Sequence, residues 1–242
     1  MIEQGITVLD ILYPRTCEGC GGGLCDTGDG RYLCWECMAQ ASVIQPPYCM
    51  RCGQPVVGMI DHDYTCHACM RTPPAFDMAR SCVLHEGVMR EILMTFKYRD
   101  GLWLTQDIIR FMSACLFCGF DVPSADGFIF VPLHHQKKRE RGFNQAELLA
   151  RGLAKAFHKP LYTRFLKRNR LTSTQTKLTA NQRRSNVLGV FSTRWARWLE
   201  GKWLILIDDV MTTGATVNEC ARTLKKAGAA KVDVLTFARG AL

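Results

Sequence analysis

The sequence predicts an α/β protein in which a parallel sheet flanked by helices follows a small cysteine-rich module. Paired cysteines are concentrated in the first seventy residues, whereas apolar segments typical of strands and helices alternate in the rest of the chain. The charge changes at the same place, because residues 1–75 carry 4 Lys/Arg against 8 Asp/Glu and residues 76–242 carry 27 against 14. We therefore expect two domains, the module over residues 1–75 and the α/β domain over residues 76–242.

Composition bounds the class of protein. With 242 residues, 48% of them hydrophobic, the chain is long enough to bury a sizeable core, which excludes wholesale disorder. The N-terminal segment carries acids where a secretory signal needs basic residues, and no apolar run approaches the roughly 18 residues of a membrane span. We expect a cytoplasmic protein without a membrane span, whose paired cysteines bind metal rather than form disulfides.

The spacing C-x2-C-x13-C-x2-C occurs twice in the N-terminal module. Each copy supplies the four thiolates of a closed tetrahedral site, so the sequence predicts two structural Zn²⁺ ions in a double zinc-ribbon-like module. A module with so few long apolar runs would take much of its folding free energy from the metal. Spacing alone leaves open an interleaved pairing of the cysteines, and a site in which His67 replaces one thiolate. The predicted ligands are Cys17, Cys20, Cys34, Cys37, Cys49, Cys52, Cys66 and Cys69.

Cys115 and Cys118 also have the C-x-x-C spacing but receive a different interpretation. They lie in or beside an apolar pattern of helical period over residues 104–116. We therefore expect these two thiols to pack in the core rather than to bind metal.

A short strand and a capped helix are predicted in the first half of the α/β domain. Residues 128–131 are apolar and are followed by Pro132, which is typical of the end of a strand. Residues 144–157 have helical periodicity, and Asn144 and Glu147 have the spacing of a capping box.

The C-terminal segment predicts a βαβ unit. Residues 203–207 and 232–237 are apolar without polar alternation, as in central parallel strands covered on both faces. Between them residues 217–227 are expected to form a helix, with Thr216 and Glu219 at capping-box spacing.

The turn that opens this unit lies in the run LILIDDVMTTGAT, from Leu204 to Thr216. Ligands of open α/β sheets bind beyond the carboxyl ends of the strands, where the two acids are expected. The amides and hydroxyls of the next loop, together with the positive end of the helix dipole, are suited to binding a phosphate. A glycine in this loop allows the phosphate to approach the backbone closely. The acids then serve sugar hydroxyls or hydrated Mg²⁺, so the motif predicts a phosphorylated ribose. The predicted site comprises Asp208, Asp209, Met211, Thr212, Thr213, Gly214, Ala215 and Thr216.

Two other interpretations of this run explain less. The acidic strand of a P-loop ATPase requires G-x-x-x-x-G-K-[ST] elsewhere, and the sequence contains no such motif. An ordinary strand and turn before a capped helix gives no reason for two acids followed by three threonines around a glycine.

Basic residues dominate the middle of the α/β domain. Residues 148–199 include twelve Lys/Arg and no Asp or Glu, which is typical either of a solvated face or of a surface that binds phosphate-rich ligands or nucleic acid. Phe165, Trp195 and Trp198 are candidate stacking partners for single-stranded DNA, although packing in the core is the favoured interpretation of these aromatics. The candidate nucleic-acid residues are Arg164, Lys167, Arg168, Arg170, Arg183 and Arg184.

The run LILIDDVMTTGAT closely resembles the phosphoribosyl pyrophosphate (PRPP) signature of type I phosphoribosyltransferases. With VPLHHQKKRERGFNQAELLA, QTKLTANQRRSNVLGVF, FKYRDG and the cysteine pairs, the chain is similar to the ComF family, which couples a zinc module to a phosphoribosyltransferase-like domain. The resemblance implies a role in natural transformation or the use of external DNA. It also implies PRPP and Mg²⁺ as ligands, and other competence or DNA-processing proteins as partners.

The resemblance assigns roles to individual residues. It places Asp208 and Asp209, the implied catalytic residues, on the ribose 2- and 3-hydroxyls, and it wraps residues 212–216 around the 5-phosphate. The implied reaction displaces pyrophosphate from C1 of the ribose through an oxocarbenium-like transition state. The loop after Pro132 would be the counterpart of the pyrophosphate loop, with Lys137, Lys138, Arg139 and Arg141.

Two classes of function stay open at this point. One is a phosphoribosyltransferase whose acceptor the sequence does not specify, and the other is a non-catalytic protein that binds single-stranded DNA on the same fold. Residues 167–186 are basic and suit either an acceptor loop or a nucleic-acid surface.

Overall fold

A computed structural model describes residues 16–24, 31–58, 60–171 and 185–240. The α-helices with bounds in these ranges are α1 (Trp35–Ala39), α2 (His67–Arg71), α3 (Gly87–Tyr98), α4 (Thr105–Gly119), α5 (His135–Arg141), α6 (Gln145–Ala156) and α7 (Ala215–Lys226), and short 3-10 helices span Leu102–Leu104 and Ala196–Trp198. The strands are β1 (Met78–Leu84), β2 (Gly127–Phe130), β3 (Leu166–Arg168), β4 (Phe191–Thr193), β5 (Trp203–Met211) and β6 (Lys231–Arg239). In the part of the chain described, none of the helices combines the length and apolar character that crossing a bilayer requires.

A parallel sheet with the strand order β1-β6-β5-β2 confirms the predicted fold class. Its central strands, β5 and β6, pair from Trp203 opposite Lys231 to Met211 opposite Arg239, and α7 joins them as the predicted βαβ unit. Both strands run further than predicted because each supplies the other with backbone hydrogen-bond partners up to these ends. The two acids of the LILIDD run therefore lie within the last part of β5 rather than after it.

Helices cover both faces of the sheet. Ile205 and Ile207 of β5 pack into a core with α3, α4 and α6, whereas Leu204 and Leu206 pack on the opposite face with α7. Side chains of a strand point alternately to the two faces, so a strand buried on both sides must be apolar throughout. This arrangement explains why the β5 sequence carries no polar alternation before its acids.

The N-terminal module covers the free edge of β1. The N–H of Ile44 donates to the carbonyl of Cys82 at 2.9 Å, and the N–H of Leu84 donates to the carbonyl of Ser42 at 2.9 Å. These bonds satisfy backbone groups that an edge strand would otherwise expose. The cysteine-rich module therefore extends the α/β sheet at one side.

Strand β1 was not predicted, because Arg80 and Ser81 interrupt its apolar pattern. Both are buried, and each has a partner outside the strand. The Arg80 guanidinium lies 4.4 Å from the ring centroid of Tyr48 and donates to the carbonyl of Met50, while the Ser81 hydroxyl lies 2.7 Å from that of Thr236. The module thus supplies the partners that allow an arginine to be buried in a sheet.

The two predicted helix caps have different outcomes. Asn144 caps α6 through its side chain, as predicted, but the Glu147 carboxylate, the other half of that capping box, pairs with Lys138 and Arg151. The capping box of Thr216 and Glu219 is wrong, because α7 begins at Ala215, two residues earlier than predicted, with Gly214 at the cap position. Glu219 is buried and accepts a hydrogen bond from Arg222 at 2.8 Å, so an ion pair within the helix takes the place of the cap.

The core interpretation of the fifth C-x-x-C pair holds for only one of its thiols. Cys115 is partly buried and packs against the core, but Cys118 is exposed. Cys118 lies in the last turn of α4, beyond Leu116, which is the last residue of that helix to be buried.

Candidate functional site

The eight paired cysteines form two separate clusters in sequential order. The first contains Cys17, Cys20, Cys34 and Cys37, and the second contains Cys49, Cys52, Cys66 and Cys69. Within each cluster the four sulfur atoms lie within 4.8 Å of one another. Among the described residues the two sets consist of cysteine alone, so neither interleaved pairing nor the substitution of His67 for a thiolate describes the sites.

The sulfur positions fit Zn²⁺. The Sγ atoms of Cys20 and Cys34 are 3.9 Å apart, and those of Cys52 and Cys66 are 3.8 Å apart. A tetrahedral site with Zn–S bonds of about 2.3 Å has sulfur–sulfur edges of about 3.8 Å. The chain therefore has two four-cysteine sites of the structural zinc type.

Backbone N–H groups favour the thiolate form at the first cysteine of each cluster. Burial opposes ionisation of Cys17, but the N–H groups of Cys34, Cys20 and Gly19 outweigh it and lower the pKa of this thiol to about 7. The same balance of burial and backbone donors lowers the pKa of Cys49 to about 7. Such donors to sulfur are the second layer of contacts expected around a structural zinc.

Asp208 and Asp209 border a cavity of about 610 Å³. The Oδ2 atom of Asp209 lies 3.0 Å from the Nζ atom of Lys97 in α3, and the two side chains are 14% and 17% exposed. The N–H of Asp209 donates to Oδ1 of Asp208 at 3.0 Å. Lys97 was not predicted as a site residue, since its only signal in the sequence was its place in the FKYRDG stretch.

Protonation of the acid pair is controlled by its surroundings. Burial and the negative charge of Asp209 raise the pKa of Asp208 to about 8, against the opposing effects of Lys97, the Asp209 N–H and Arg168. Near neutral pH the two carboxyl groups therefore retain a proton. A bound cation or hydroxyl donors would stabilise the fully ionised pair, and the shared proton would then be released.

Replacing Asp208 with Asn should make the protein more stable at pH 8 than the wild type. The folded state holds the Asp208 proton up to about pH 8, whereas the unfolded state loses it near pH 4. Stability therefore falls as pH rises through this window, and the neutral Asn variant does not share the loss. We expect the variant's advantage in free energy of unfolding to grow by about 2 kcal/mol between pH 6 and pH 8, because only the folded state holds the proton over most of this interval. Urea unfolding of zinc-loaded protein at both pH values measures it, and an equal advantage at both would contradict the assignment.

The loop between β5 and α7 leads directly into the N-terminus of a helix. A small cavity of about 20 Å³ is lined by Asp208 and residues 210–217. Gly214 has a φ of 74°, a conformation that favours glycine, and the 12-residue helix α7 starts directly after it. The N–H groups in the first turn of a helix have no intrahelical partners, so they are available to an anion at this end of the sheet.

Cationic side chains from three elements line the larger cavity. They are Lys97 of α3, Lys137 and Arg141 of α5, and Arg168 of β3. Burial, followed by the charges of Arg168 and Arg141, lowers the pKa of Lys137. Cations that disfavour one another's charge are stabilised by a polyanion between them. The cavity thus brings together the acid pair and these four cations, which we call the basic wall, beside residues 212–216, which we call the Thr loop.

The other basic residues singled out in the sequence lie away from this cavity. The Nζ atom of Lys138 is 2.8 Å from Oε2 of Glu147, and Arg139 is exposed. Arg168, expected on a nucleic-acid surface, lines the cavity instead. The exposed candidates are Arg164, Lys167 and Arg170. Arg183 and Arg184 lie outside the described residues, as does most of the segment 167–186.

Two tryptophans expected in the core are on the surface. Trp195 is 50% exposed and Trp198 is 59% exposed. Trp195 has a positive φ of 52°, where the chain turns after β4 into a short surface helix, and this turn carries both rings outward. The ring centroid of Phe165 lies 5.6 Å from that of Trp195, and the Arg197 guanidinium lies 5.6 Å from the ring of Trp198. The core interpretation was therefore wrong for both tryptophans.

Models of known domain families match both parts of the chain. Residues 8–70 match a double zinc ribbon domain, and residues 141–241 match a phosphoribosyl transferase domain. The first range contains all eight cluster cysteines, and the second contains the acid pair, the Thr loop and the strands that carry them.

Curated relatives resemble the chain over half its length or more. Competence protein F of Haemophilus influenzae is 30% identical over 152 residues, which cover 61% of this chain and 66% of the relative. Competence protein ComFC of Bacillus subtilis is 35% identical over 66% of this chain and 63% of the relative. DNA utilization protein YhgH of Escherichia coli O157:H7 is 38% identical over 50% of this chain and 52% of the relative. The chain thus spans between half and about two thirds of the lengths of these relatives.

Proposed function

We propose that this chain, which belongs to the ComF family of proteins with a phosphoribosyltransferase-like domain, binds PRPP with Mg²⁺ and acts in the use of external DNA. The observation that carries the proposal is the convergence of Asp208 and Asp209, the Thr loop and a basic wall around one cavity. The names of its relatives support the biological setting, since they are competence and DNA utilization proteins.

Each part of PRPP has matching chemistry in the cavity. The carboxylates of Asp208 and Asp209 would accept hydrogen bonds from the ribose 2- and 3-hydroxyls, and the first turn of α7 would donate to the 5-phosphate. The pyrophosphate would face Lys137, Arg141 and the other cations of the wall. When bound, Mg²⁺ supplies charge neutralisation on the pyrophosphate.

The same residues would support transfer of the ribosyl phosphate. The bond between C1 and the pyrophosphate oxygen breaks, its electron pair leaves with the pyrophosphate, and an acceptor forms the new bond to C1. The basic wall would stabilise the leaving group, while a carboxylate near the ring would stabilise the positive charge that develops on the sugar. Lys97 holds the Asp209 carboxylate in place through the 3.0 Å ion pair.

Pyrophosphate release distinguishes a transferase from a binding protein. Zinc-loaded protein is incubated with PRPP and Mg²⁺, with or without nucleobases or single-stranded DNA as acceptors. Release that requires one acceptor identifies a phosphoribosyltransferase and its nucleophile. Absence of release, together with saturable PRPP binding in calorimetry, identifies a protein that binds PRPP without turnover.

We also propose a cytoplasmic location and contacts with other competence or DNA-processing proteins. Two sites of four thiolates suit a reducing compartment, where cysteines bind metal rather than form disulfides. The names of the relatives are the support for such partners.

Direct binding of single-stranded DNA is a second candidate function, favoured by the exposed pair Trp195 and Trp198. Bases stack on such rings, and the exposed cations nearby would neutralise phosphates. Affinity should then fall steeply with salt, with a log–log slope of about −0.7 per phosphate contacted.

Two variants should separate the contribution of charge to DNA binding from the contribution of stacking. Replacing Arg164, Lys167 and Arg170 together with Ser should flatten the salt slope by about 2 units. Replacing both tryptophans with Ala should weaken binding while leaving the slope unchanged, since stacking adds no phosphate contact. Arg168 is left intact because it lines the PRPP cavity. Fluorescence anisotropy over a salt series measures both effects. An unchanged slope in the triple variant would show that these three cations belong to a solvated face and do not contact DNA phosphates.

A further inference from the structure

The second zinc cluster, formed by Cys49, Cys52, Cys66 and Cys69, lies close to the Thr loop. One buried arginine connects the two. Arg239, at the end of β6, is 3% exposed. Its Nη1 donates to the carbonyl of Cys52 at 2.6 Å, and its Nε donates to Oε1 of Gln54 at 2.8 Å. Its Nη2 lies 3.8 Å from the sulfur of Cys52. The guanidinium thus bonds to the cluster through both the backbone and a ligand side chain.

The backbone of the same arginine holds the start of the loop. Arg239 pairs with Met211 in the sheet, and the N–H of Gly240 donates to the Met211 carbonyl at 3.0 Å. Gly240 also packs tightly on the loop, because a Cβ at this position would lie 2.8 Å from Cγ2 of Thr212. The two residues 239–240 therefore lie between the zinc ligands and the first threonine of the loop.

A second contact joins the cluster side of the module to α7. The N–H of Ala75 donates to Oδ1 of Asn218, in the first turns of that helix, at 2.6 Å. A cavity of about 240 Å³ between the two is lined by Cys52, Cys66 and Cys69 on one side and residues 213–215 on the other. The module and the loop thus face each other across this cavity.

The negative charge of the metal-bound second cluster stabilises the buried guanidinium of Arg239. Four thiolates around Zn²⁺ carry a net negative charge, which compensates the buried guanidinium. Without the metal-bound cluster, this cation would be buried without its counter-charge, an unfavourable state that movement of the side chain would relieve. Movement of Arg239 would disturb the end of β6, on which Met211 and the loop depend.

The first zinc cluster has different neighbours. Its Gly19 packs against Val88 of α3, and the nearby Tyr32 N–H donates to Oδ2 of Asp107 in α4 at 2.9 Å. Glu18 accepts a hydrogen bond from the Trp103 indole at 3.0 Å. These contacts lie on the α3 and α4 side of the molecule, so the first cluster serves as an internal comparison.

We propose that the second zinc cluster, acting through Arg239 as a positioning residue, holds the Thr loop in the conformation that binds phosphate. Zinc at this cluster and PRPP at the loop then increase each other's affinity by the same factor, since such coupling is reciprocal. This inference rests on the proposed binding of PRPP.

Matched variants of the two clusters test the coupling. Cys34 and Cys66 occupy equivalent positions in the two clusters. The backbone N–H of Cys34 donates to Sγ of Cys17, and that of Cys66 donates to Sγ of Cys49, each with a nitrogen–sulfur distance of 3.3 Å. Cys34→Ser and Cys66→Ser should each lose one of two zinc ions. We expect only Cys66→Ser to weaken PRPP binding, by about tenfold or more, while Cys34→Ser stays within about twofold of wild type. Equal weakening, or no weakening in Cys66→Ser, would overturn the inference.

Arg239→Gln provides a test that does not depend on the loss of a ligand. It should retain two zinc ions but bind PRPP about tenfold more weakly, with partial recovery in Arg239→Lys. Wild-type affinity in Arg239→Gln would overturn the inference even if Cys66→Ser fails to fold. As a reciprocal measurement, PRPP should make one of the two zinc ions harder to remove in an equilibrium competition with a chelator. Failure of wild type to bind PRPP would instead refute the proposed function.

Discussion

The double replacement Asp208→Asn and Asp209→Asn should abolish measurable PRPP binding. Each carboxylate is expected to accept a charge-assisted hydrogen bond from a ribose hydroxyl, and such bonds contribute roughly 1.5–3 kcal/mol each. Loss of both corresponds to an increase in the dissociation constant of about 100-fold or more. The change also removes the partner of Lys97, which lies 3.0 Å from Asp209, so the cavity gains positive charge while it loses affinity for the sugar. Calorimetric titration with Mg²⁺ present measures the effect.

A matched pair of single variants sharpens this test. Lys138→Gln removes a cation that pairs with Glu147 instead of lining the cavity, and it should bind PRPP as the wild type does. Lys137→Gln removes a cation of the basic wall and should weaken PRPP while leaving ribose 5-phosphate binding unchanged. Equal titration curves for the wild type and the double Asn variant would refute the assignment of the acid pair.

Loss of one zinc ligand should unfold the half of the module to which it belongs. Apparent free energies of structural zinc binding are about 10–16 kcal/mol, as large as the whole stability of an ordinary domain. Cys17→Ser should therefore remove amide-exchange protection from residues 31–39, and Cys49→Ser from residues 48–56. Elemental analysis should give two zinc ions for wild type and one for each variant.

The exposed thiol Cys118 supplies the control for the zinc variants. Cys118→Ser lies outside both clusters and should retain two zinc ions and the wild-type pattern of amide protection. One zinc ion or none in the purified wild-type protein would contradict the two-site account. So would protection that survives in both halves of the module after a cluster cysteine is replaced.

The parts of the fold that depend on local sequence were predictable. The βαβ unit around β5 and β6 was visible because strands buried on both faces must be apolar throughout. Strand β1 was not, because its buried Arg80 finds partners in Tyr48 and Met50, far away in sequence. The capping box at Glu219 failed for a related reason, since an ion pair with Arg222 offered that carboxylate a better partner than the helix end.

The candidate site shows the same division. The acid pair and the Thr loop are contiguous in the chain, so their chemistry can be interpreted from the order of the residues alone. Lys97 and Arg168 join the cavity only through the folding of α3 and β3 next to β5. Spacing could not distinguish sequential from interleaved cysteine pairing, because both satisfy the same ligand count. Nor could composition decide whether Trp198 is buried, since exposure depends on how the chain turns after β4.

Titration of PRPP into zinc-loaded wild-type protein, with and without Mg²⁺, is the direct test of whether this chain binds PRPP with Mg²⁺. Magnesium should be omitted rather than chelated, because a chelator would also attack the two zinc clusters. We expect saturable binding of one PRPP per chain, with an affinity that increases when Mg²⁺ is added. A titration with no saturable heat in the presence of Mg²⁺, from protein that contains two zinc ions, would contradict it.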